Sequence, residues 1–501
     1  MNGLSIPKIR GLNLLPIEKI SSDLVTTERT SLYAAAKNTR LTGDWLPLDS
    51  NVNDIIKASS PIIRRRVRQL IRDFPYLARA VNVIVDYVVG VGIQFQSKNT
   101  NANGKLNNKR NQQNEDAFKF WSDDADISGR MSFYEIMRLA KRQDVEPGEF
   151  LVQKLRVKRH GKYLPFCLRV IEPDWITDLS DDRYYSYSGV GTGNEIYQGI
   201  EYNKQTGERV FYHLMDPDGW GNAMKIPASD ILHGFDMLRP NQLRGISPFA
   251  PGLLLANDLQ SVIDSEIDAA KMASKWLAMV TSDNPMGRQM GLPNEPGTEK
   301  KIEELENAII EYLRPGEKIE MAANPRPGSN FGPFVRLILT MLSVTTNVPY
   351  EILTGDYQGL NFSTGKMVRT DFAQQLRPTV ARHVRQFCEP IARAFMDEAV
   401  LYGKLSLPGY YKNPWPFWKF EWQPPGMESI DPGRETKAFI DQIKARLRSP
   451  QEIIRSRGRD PEAVVNEISE FKALCESKGL HMEEVISTAM ANNPAAVEMQ
   501  E

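Results

Sequence analysis

Residues 348–367 read Val-Pro-Tyr-Glu-Ile-Leu-Thr-Gly-Asp-Tyr-Gln-Gly-Leu-Asn-Phe-Ser-Thr-Gly-Lys-Met and separate two helical patterns. Before them Val335, Ile338, Met341, Leu342 and Thr345 recur at helical spacing; after them Phe372 and Leu376 resume it. A Gly-, Asn- and Tyr-rich run packs little of its own surface. Held between helices, it is either a ligand loop or a contact to something that moves past it.

A chain of 501 residues exceeds one ordinary core, so two to four subdomains are expected. Charged residues make up 25% and the formal net charge is −1, which argues against a uniformly basic nucleic-acid binder but leaves room for local patches. Cys167, Cys388 and Cys475 lie far apart without CxxC spacing, so neither a disulfide framework nor a zinc site is expected, and a reducing compartment suits folding. No signal peptide is read at the N-terminus. No stretch reaches the roughly 18 uninterrupted apolar residues of a membrane span.

Residues 1–60 are weakly periodic and read as an extended arm. Pro61 opens an arginine-rich stretch with Arg64, Arg65, Arg66, Arg68 and Arg72. Pro75 starts a helix that Gly90-Val91-Gly92 ends; 93–96 alternates as a strand, and 97–114 reads as an exposed loop. Phe118 and Trp121 mark a short helix, and Ser132 with Glu135 forms a capping box for the next. Beyond the turn at Glu146-Pro147-Gly148-Glu149, two hairpins are expected, 150–157 with 164–171 and 196–202 with 209–215. Ser247 as N-cap and Pro248 as first residue announce a long helix to about residue 280. Leu255, Leu259, Val262, Ala269, Ala273 and Trp276 share its apolar face, and Asp264, Asp268, Lys271 and Lys275 line the opposite one. A loop over 281–297, a helix carrying Ile302, Leu305, Ile309 and Leu313, and a short strand at 319–322 follow. Pro378 is expected to kink the helix after the central loop. The Trp- and Pro-rich segment 414–425 packs its rings on a neighbouring surface. C-terminal helices then carry Ile440, Ile443 and Leu447, and, behind caps at Ser449 and Asp460, Val464, Ile468, Phe471 and Cys475.

Motifs for chemistry are weak. Gly359 and Gly365-Lys366 enclose five residues where a phosphate-cradling loop has four, and Met367 replaces the hydroxyl that holds magnesium. Gly90-Val91-Gly92 precedes a strand, unlike a dinucleotide fingerprint. His160, His213, His233, His383 and His481 show no metal-ligand spacing, and His383 and Cys388 lie about 140° apart on a helix. Asp178, Asp181 and Asp182 read as a solvated loop. Arg64, Arg65 and Arg68, and a second cluster with Arg446, Arg448, Arg455 and Arg457, are candidates for DNA or subunit contact, against the plainer reading of a solvated face. No cofactor or metal is expected.

Several segments together resemble the lambda-type bacteriophage portal proteins. They are the arginine stretch from Arg64 with Pro75-Tyr76-Leu77-Ala78-Arg79-Ala80, residues 144–150, Ile231-Leu232-His233, Arg239-Pro240, Arg244-Gly245-Ile246-Ser247-Pro248, the central loop, Pro378 and the tryptophan-rich segment before Pro424-Pro425. The resemblance spans roughly residues 30–470. It implies an α+β, mostly helical fold with wing, stem, clip and crown regions, assembled as a dodecameric ring. In chain order it implies an arm (1–60), wing (61–245), stem helix (246–280), clip (281–330), returning stem helix (331–353), tunnel loop (354–366), kinked helix and wing return (367–430), helical crown (431–490) and a disordered tail (491–501). Tyr357, Gln358, Asn361, Phe362, Ser363, Thr364 and Lys366 would face the channel. The implied partners are further copies of the chain, double-stranded DNA held without sequence preference, the terminase large subunit, the major capsid protein and head–tail connector proteins, with no membrane. The implied role is a non-catalytic conduit for DNA in the virion, assembled in the host cytoplasm. A scaffold or adaptor without a channel, and a hydrolase with a fold-assembled site, are the rival readings.

Overall fold

The computed structural model describes residues 50–101, 103–176, 193–215, 224–275, 279–282, 317–320, 328, 330–426 and 431–480. Its contacts divide the chain into Met1–Asn51 and Val52–Glu501, and the fold is that of the second unit. The arm to residue 49, the acidic triplet at 178–182, Trp276, the expected helix around 302–313 with most of the expected clip, His481 and the tail 491–501 lie outside the described residues.

The first helix, α1 (Val52–Asp73), begins inside the expected arm and runs through Pro61. Its buried face passes through Ile56, Ser60, Arg64, Val67 and Ile71. Two polar residues in that stripe hide the helical period. Helix α2 (Pro75–Val88) starts on its proline, as expected, and Gly90 and Gly92 follow it with positive φ. Strand β1 (Gln94–Ser97) leads to α3 (Asn108–Ser122), which takes over part of the expected loop. The Asn107 side chain caps α3 by accepting from the Arg110 amide, and buried Asn111 and Asn114 bond to Ser97. Helix α4 (Phe133–Val145) carries the capping box of Ser132 and Glu135.

Strands β2 (Glu149–Arg156) and β3 (Phe166–Ile171) form the first expected hairpin. The second is a four-stranded meander of β4 (Asn194–Tyr197), β5 (Ile200–Asn203), β6 (Arg209–Leu214) and β7 (Met224–Pro227). The single strand expected over 196–202 is split because Gln198 and Gly199 both take positive φ (49° and 75°), the geometry of a two-residue hairpin turn. Strand β8 (Ile231–Phe235) joins the free edge of β2. Side chains alternate across β2: Phe150 and Val152 enter the main core, whereas Leu151 enters a smaller one with Ile171, Ile200, Tyr212 and Leu214.

Helix α5 (Leu253–Lys275) is shorter than expected at both ends. Ser247 does not cap it; its hydroxyl donates to the Val145 carbonyl (3.0 Å), and a 3-10 turn at Ala250–Gly252 intervenes. At ~1.5 Å per residue the helix spans about 35 Å. The chain beyond it includes β9 (Met279–Ser282), paired antiparallel with β10 (Glu317–Glu320), so helix does not reach residue 280. Helix α6 (Phe331–Thr346) leads into the central segment, and α7 (Tyr350–Thr354) and α8 (Phe362–His383) flank the turn within it. Helix α8 passes through Pro378; the irregular turn lies downstream, a π-helical stretch at Val384–Cys388 before α9 (Glu389–Leu401).

Strand β11 (Phe420–Gln423) pairs with β1, bringing the tryptophan-rich segment back to the start of the unit. Trp422 and Phe420 pack on Phe95, as expected for this segment, while Trp415 stays largely exposed. Phe118, Trp121, Phe133, Phe387 and Phe395 continue this aromatic core, with Phe118 and Phe395 edge to face at 5.1 Å. Helices α10 (Pro432–Lys444), α11 (Pro450–Ser456) and α12 (Pro461–Ser477) follow, the last two capped by Ser449 and Asp460 as the sequence indicates. Among the described residues, no helix is long and apolar enough to cross a membrane.

Candidate nucleic-acid interface

The central segment is shorter as a loop than the sequence suggests. Helix α7 ends at Gly355, whose φ of 74° gives a left-handed cap. Helix α8 begins at Phe362 because the Asn361 side chain accepts from the Thr364 amide (2.8 Å) and the Thr364 hydroxyl (2.8 Å). The irregular part is therefore residues 355–361, and Phe362, Ser363, Thr364 and Lys366 lie in the first turns of α8. A local N-cap overrode the loop reading. The turn itself is built from its own polar groups: the Gln358 amide donates to the Asp356 carboxylate (3.1 Å), and the Leu360 amide to the Tyr357 carbonyl (3.2 Å). Tyr357, Gln358, Asn361, Phe362 and Ser363 are exposed, the Tyr357 ring by 60% and the Phe362 ring by 52%.

Lys366 is half-buried. It lines a cleft of about 210 Å³ with Arg369 and Arg377 of α8, and with Glu435 and Arg457 from the C-terminal helices. The structure thus brings Lys366 near one member of the second arginine cluster. Arg457 pairs with Glu435 (2.5 Å), Arg448 with Glu452 (2.9 Å) and Arg455 with Glu421 (3.5 Å). Arg446 is exposed with a left-handed φ of 58°. In the first cluster Arg65 is exposed and donates to the Pro61 carbonyl (3.1 Å), and Arg68 pairs with Asp174 (2.7 Å) and Glu172 (3.4 Å). On α5, Asp264, Asp268 and Lys271 are exposed, with Lys271 and Asp268 3.0 Å apart; Lys275 is the last residue of that helix.

Arg64 does not belong to any of these surfaces. It points inward to Glu149 (3.3 Å) and Asp174 (3.2 Å), a correction to its place among the candidate contacts. Glu149 is fully buried and collects most of the polar groups around it. Its Oε1 accepts from Arg244 Nη2 (2.5 Å), and its Oε2 from Arg244 Nε (3.0 Å) and the Gly245 amide (2.8 Å). Burial pushes the carboxyl pKa up, but the Arg244 charge and the bonds from His233 and Arg244 outweigh it and hold the pKa well below the usual range. Burial draws His233 down to about 4, so the ring is neutral at pH 7. Arg209 can only donate to Nδ1 (3.0 Å), so Nε2 carries the proton and donates to Glu149 (3.0 Å). The close approach depends on two glycines: a Cβ on Gly148 would lie 2.0 Å from the Ile246 carbonyl carbon, and one on Gly245 would lie 2.1 Å from the Gly148 carbonyl oxygen.

This node was not legible as a site. Its sequence trace is a Pro-Gly-Glu turn and an Arg-Gly pair almost a hundred residues apart, with no shared period. Arg64, Arg244, His233 and the Gly245 amide converge on this one carboxylate, and the two arginines also reach Ser60, Asp174, Gln198 and Pro173, so the node locks the first helix, the β2–β8 pair and the approach to α5 together. Among the described residues no group of His, Cys, Asp and Glu could hold a metal ion. Every histidine described, except surface His160, is buried within the subunit.

A model of phage portal proteins, lambda family, matches residues 38–378. The "Probable portal protein" of Halomonas phage phiHAP-1 is 27% identical over 468 residues, covering 88% of this chain and 86% of its own. "Portal protein B" of Escherichia phage lambda is 17% identical over 466 residues, covering 84% and 85%. Among solved structures, a chain in the neck of an empty GTA particle aligns with a TM-score of 0.45 at 14% identity, covering 79% of this chain and 93% of that one. Four of the segments that gave the resemblance meet at Glu149, through Arg64, Glu149 itself, His233 and Arg244. The chain belongs to the lambda family of phage portal proteins.

Proposed function

We propose that twelve copies of this chain close into a ring at one capsid vertex, around an axial channel through which double-stranded DNA is packaged and ejected. The turn at 355–361 and the first residues of α8 face that channel, with Tyr357, Gln358, Asn361, Phe362, Ser363, Thr364 and Lys366 as the contact set. The ring docks the terminase, the major capsid protein and the head–tail connector proteins.

The observation that carries this reading is the state of α6, which runs directly into the turn. Phe334, Leu337, Met341 and Val344 recur along one side of it and all remain open to solvent, Val344 by 73%. A continuous apolar stripe on a helix calls for a cover. Further copies packed side by side supply one and carry the adjoining turns to a common axis. The chemistry of the turn suits a sliding cargo. Each phosphate neutralised by a fixed cation releases counterions and deepens binding, so a strongly basic lining would hold DNA in place. Exposed rings, amides and hydroxyls give weak contact without sequence preference. Asp264, Asp268 and Lys271 on α5 suit a wet inner face or a neighbour's surface, and exposed Arg65 and Arg446 remain candidates for subunit or DNA contact.

Negative-stain imaging with light scattering on the purified full chain tests the ring. A closed ring with a central hole is expected, and a compact monomer without a pore overturns the reading. The Lys366→Glu chain is expected to assemble normally yet alter DNA retention or packaging. Unchanged packaging removes Lys366 from the contact set.

A further inference from the structure

We infer that helix α12 of one copy docks in the groove between α10 and α11 of the next copy, a head-to-tail contact among the C-terminal helices. The inference rests on the ring reading above and names one of its interfaces.

Helices α10 and α11 leave between them an open, mostly apolar groove of about 740 Å³, lined by Phe439, Ile440, Ile443, Ile453 and Ile454. Ile440 is 46% exposed there, and Leu447 at the end of α10 is more exposed still. Helix α12 presents the matching shape. Ile468, Phe471 and Leu474 stand open to solvent within about a third of the helix circumference, and of its residues only Pro461 and Cys475 are buried. A 17-residue helix with an uncovered apolar face and a groove of facing apolar side chains are the two halves of helix-in-groove recognition. Within one subunit they do not meet: both surfaces are open in the same chain.

Charge selects the partner. Between Pro432 and Arg459 the chain carries eight Lys or Arg and three Asp or Glu, whereas α12 carries Glu462, Glu467, Glu470 and Glu476 against Lys472 alone. Within the chain Arg448, Arg455 and Arg457 pair with Glu452, Glu421 and Glu435, and Arg459 pairs with Glu467 of α12, so the positive excess near the groove is that of Lys437, Lys444 and Arg446; it disfavours a second copy of the groove and favours the acidic α12. The contact therefore joins two different patches, and repeating it generates a ring or an open filament instead of a two-fold dimer. Ring closure then sets the number of copies.

The test is co-expression of two full-length chains, one carrying Ile440→Cys and the other Ile468→Cys, followed by mild oxidation. Both positions are solvent-exposed, and the native Cys167, Cys388 and Cys475 are buried. A disulfide between positions 440 and 468, read on a non-reducing gel and by peptide mass, is expected only in the mixture. Each chain carries one engineered thiol, so the link can form only between copies. Rings in the micrographs without that link overturn the inference and leave the ring reading intact; neither rings nor link overturns both. A link in open filaments supports the contact and removes the closed ring. A second variant, Ile468→Asp, is expected to keep its helical circular dichroism while raising the half-assembly concentration about tenfold or more. Unchanged assembly in that variant counts against the contact.

Discussion

Arg244 and Glu149 meet through two parallel hydrogen bonds, Nη2 to Oε1 at 2.5 Å and Nε to Oε2 at 3.0 Å, with both side chains buried. The fork geometry gives both strength and orientation. It fixes the chain at the point where the β-rich part hands over to the long helices.

Glu149→Gln leaves two buried guanidinium groups facing a neutral amide. Removing one partner of a buried pair costs about 3–5 kcal/mol, so a large fall in the urea midpoint of the subunit is expected. Arg68→Ala, which removes a partly exposed pair with Asp174, is expected to cost no more than about 1 kcal/mol. Equal effects in denaturant titrations would contradict the assignment of Glu149 as the joint.

Acid should weaken the subunit from about pH 6.5 downward. Burial holds His233 at about 4 and His383 at about 3, the latter stacked on Phe387 at 5.2 Å. Both rings stay neutral in the fold while the unfolded chain takes up protons below its ordinary value near 6.5, so unfolding is favoured as pH falls. Each histidine contributes up to about 1.4 kcal/mol per pH unit between that value and its folded pKa. The Glu149 carboxylate, held low in the fold, adds loss of the same sign below its ordinary 4.5. His383→Leu should flatten the stability slope between pH 6 and 4.5, measured by denaturant titration at each pH.

Glu115 should act in the opposite sense. Burial raises its pKa to about 7, against the bond its carboxylate accepts from the Ser97 amide (2.8 Å). The folded state then holds a proton that the unfolded chain has already released above pH 4.5, so its cost grows from pH 4.5 to 7 and is full above that. Glu115→Gln keeps an acceptor for Ser97 and removes the charge. A gain on the order of 1 kcal/mol at pH 8, vanishing near pH 4.5, is expected from paired denaturation curves.

Two glycines separate helix from close packing. Gly365 lies within the first turns of α8 with open space where a Cβ would stand, so Gly365→Ala should stabilise by about 0.5–1 kcal/mol. Gly148 has a φ of 89° and no room beside Ile246, so Gly148→Ala should destabilise strongly. Thermal midpoints moving in opposite directions confirm that residues 362–366 are helix; a neutral Gly365→Ala argues that they are loop.

Local features were legible where a residue acts on its immediate neighbours. Pro75, the box of Ser132 and Glu135, and the caps at Ser449 and Asp460 placed their helices correctly. The hairpin of β2 and β3 followed from strand-type runs with a turn between them. The errors share a cause. Ser60 and Arg64 interrupt the apolar stripe of α1, Asn111 and Asn114 that of α3; Arg64 reaches Glu149, Asn111 and Asn114 reach Ser97, and Ser60 is buried as the acceptor for Arg64. Ser247 has the residue type of a helix cap, but its hydroxyl is taken by Val145, and the helix starts later.

Order along the chain, the caps at Ser132, Ser449 and Asp460, and the polar run between two apolar helices follow from the sequence alone, because they rest on interactions within a few residues. Which arginine turns inward, how far the central loop extends, and which apolar faces stay open were decided only by the tertiary structure. Those outcomes depend on the desolvation of a group and on who its distant partner is, and neither quantity is written in the spacing of residues along one strand or helix.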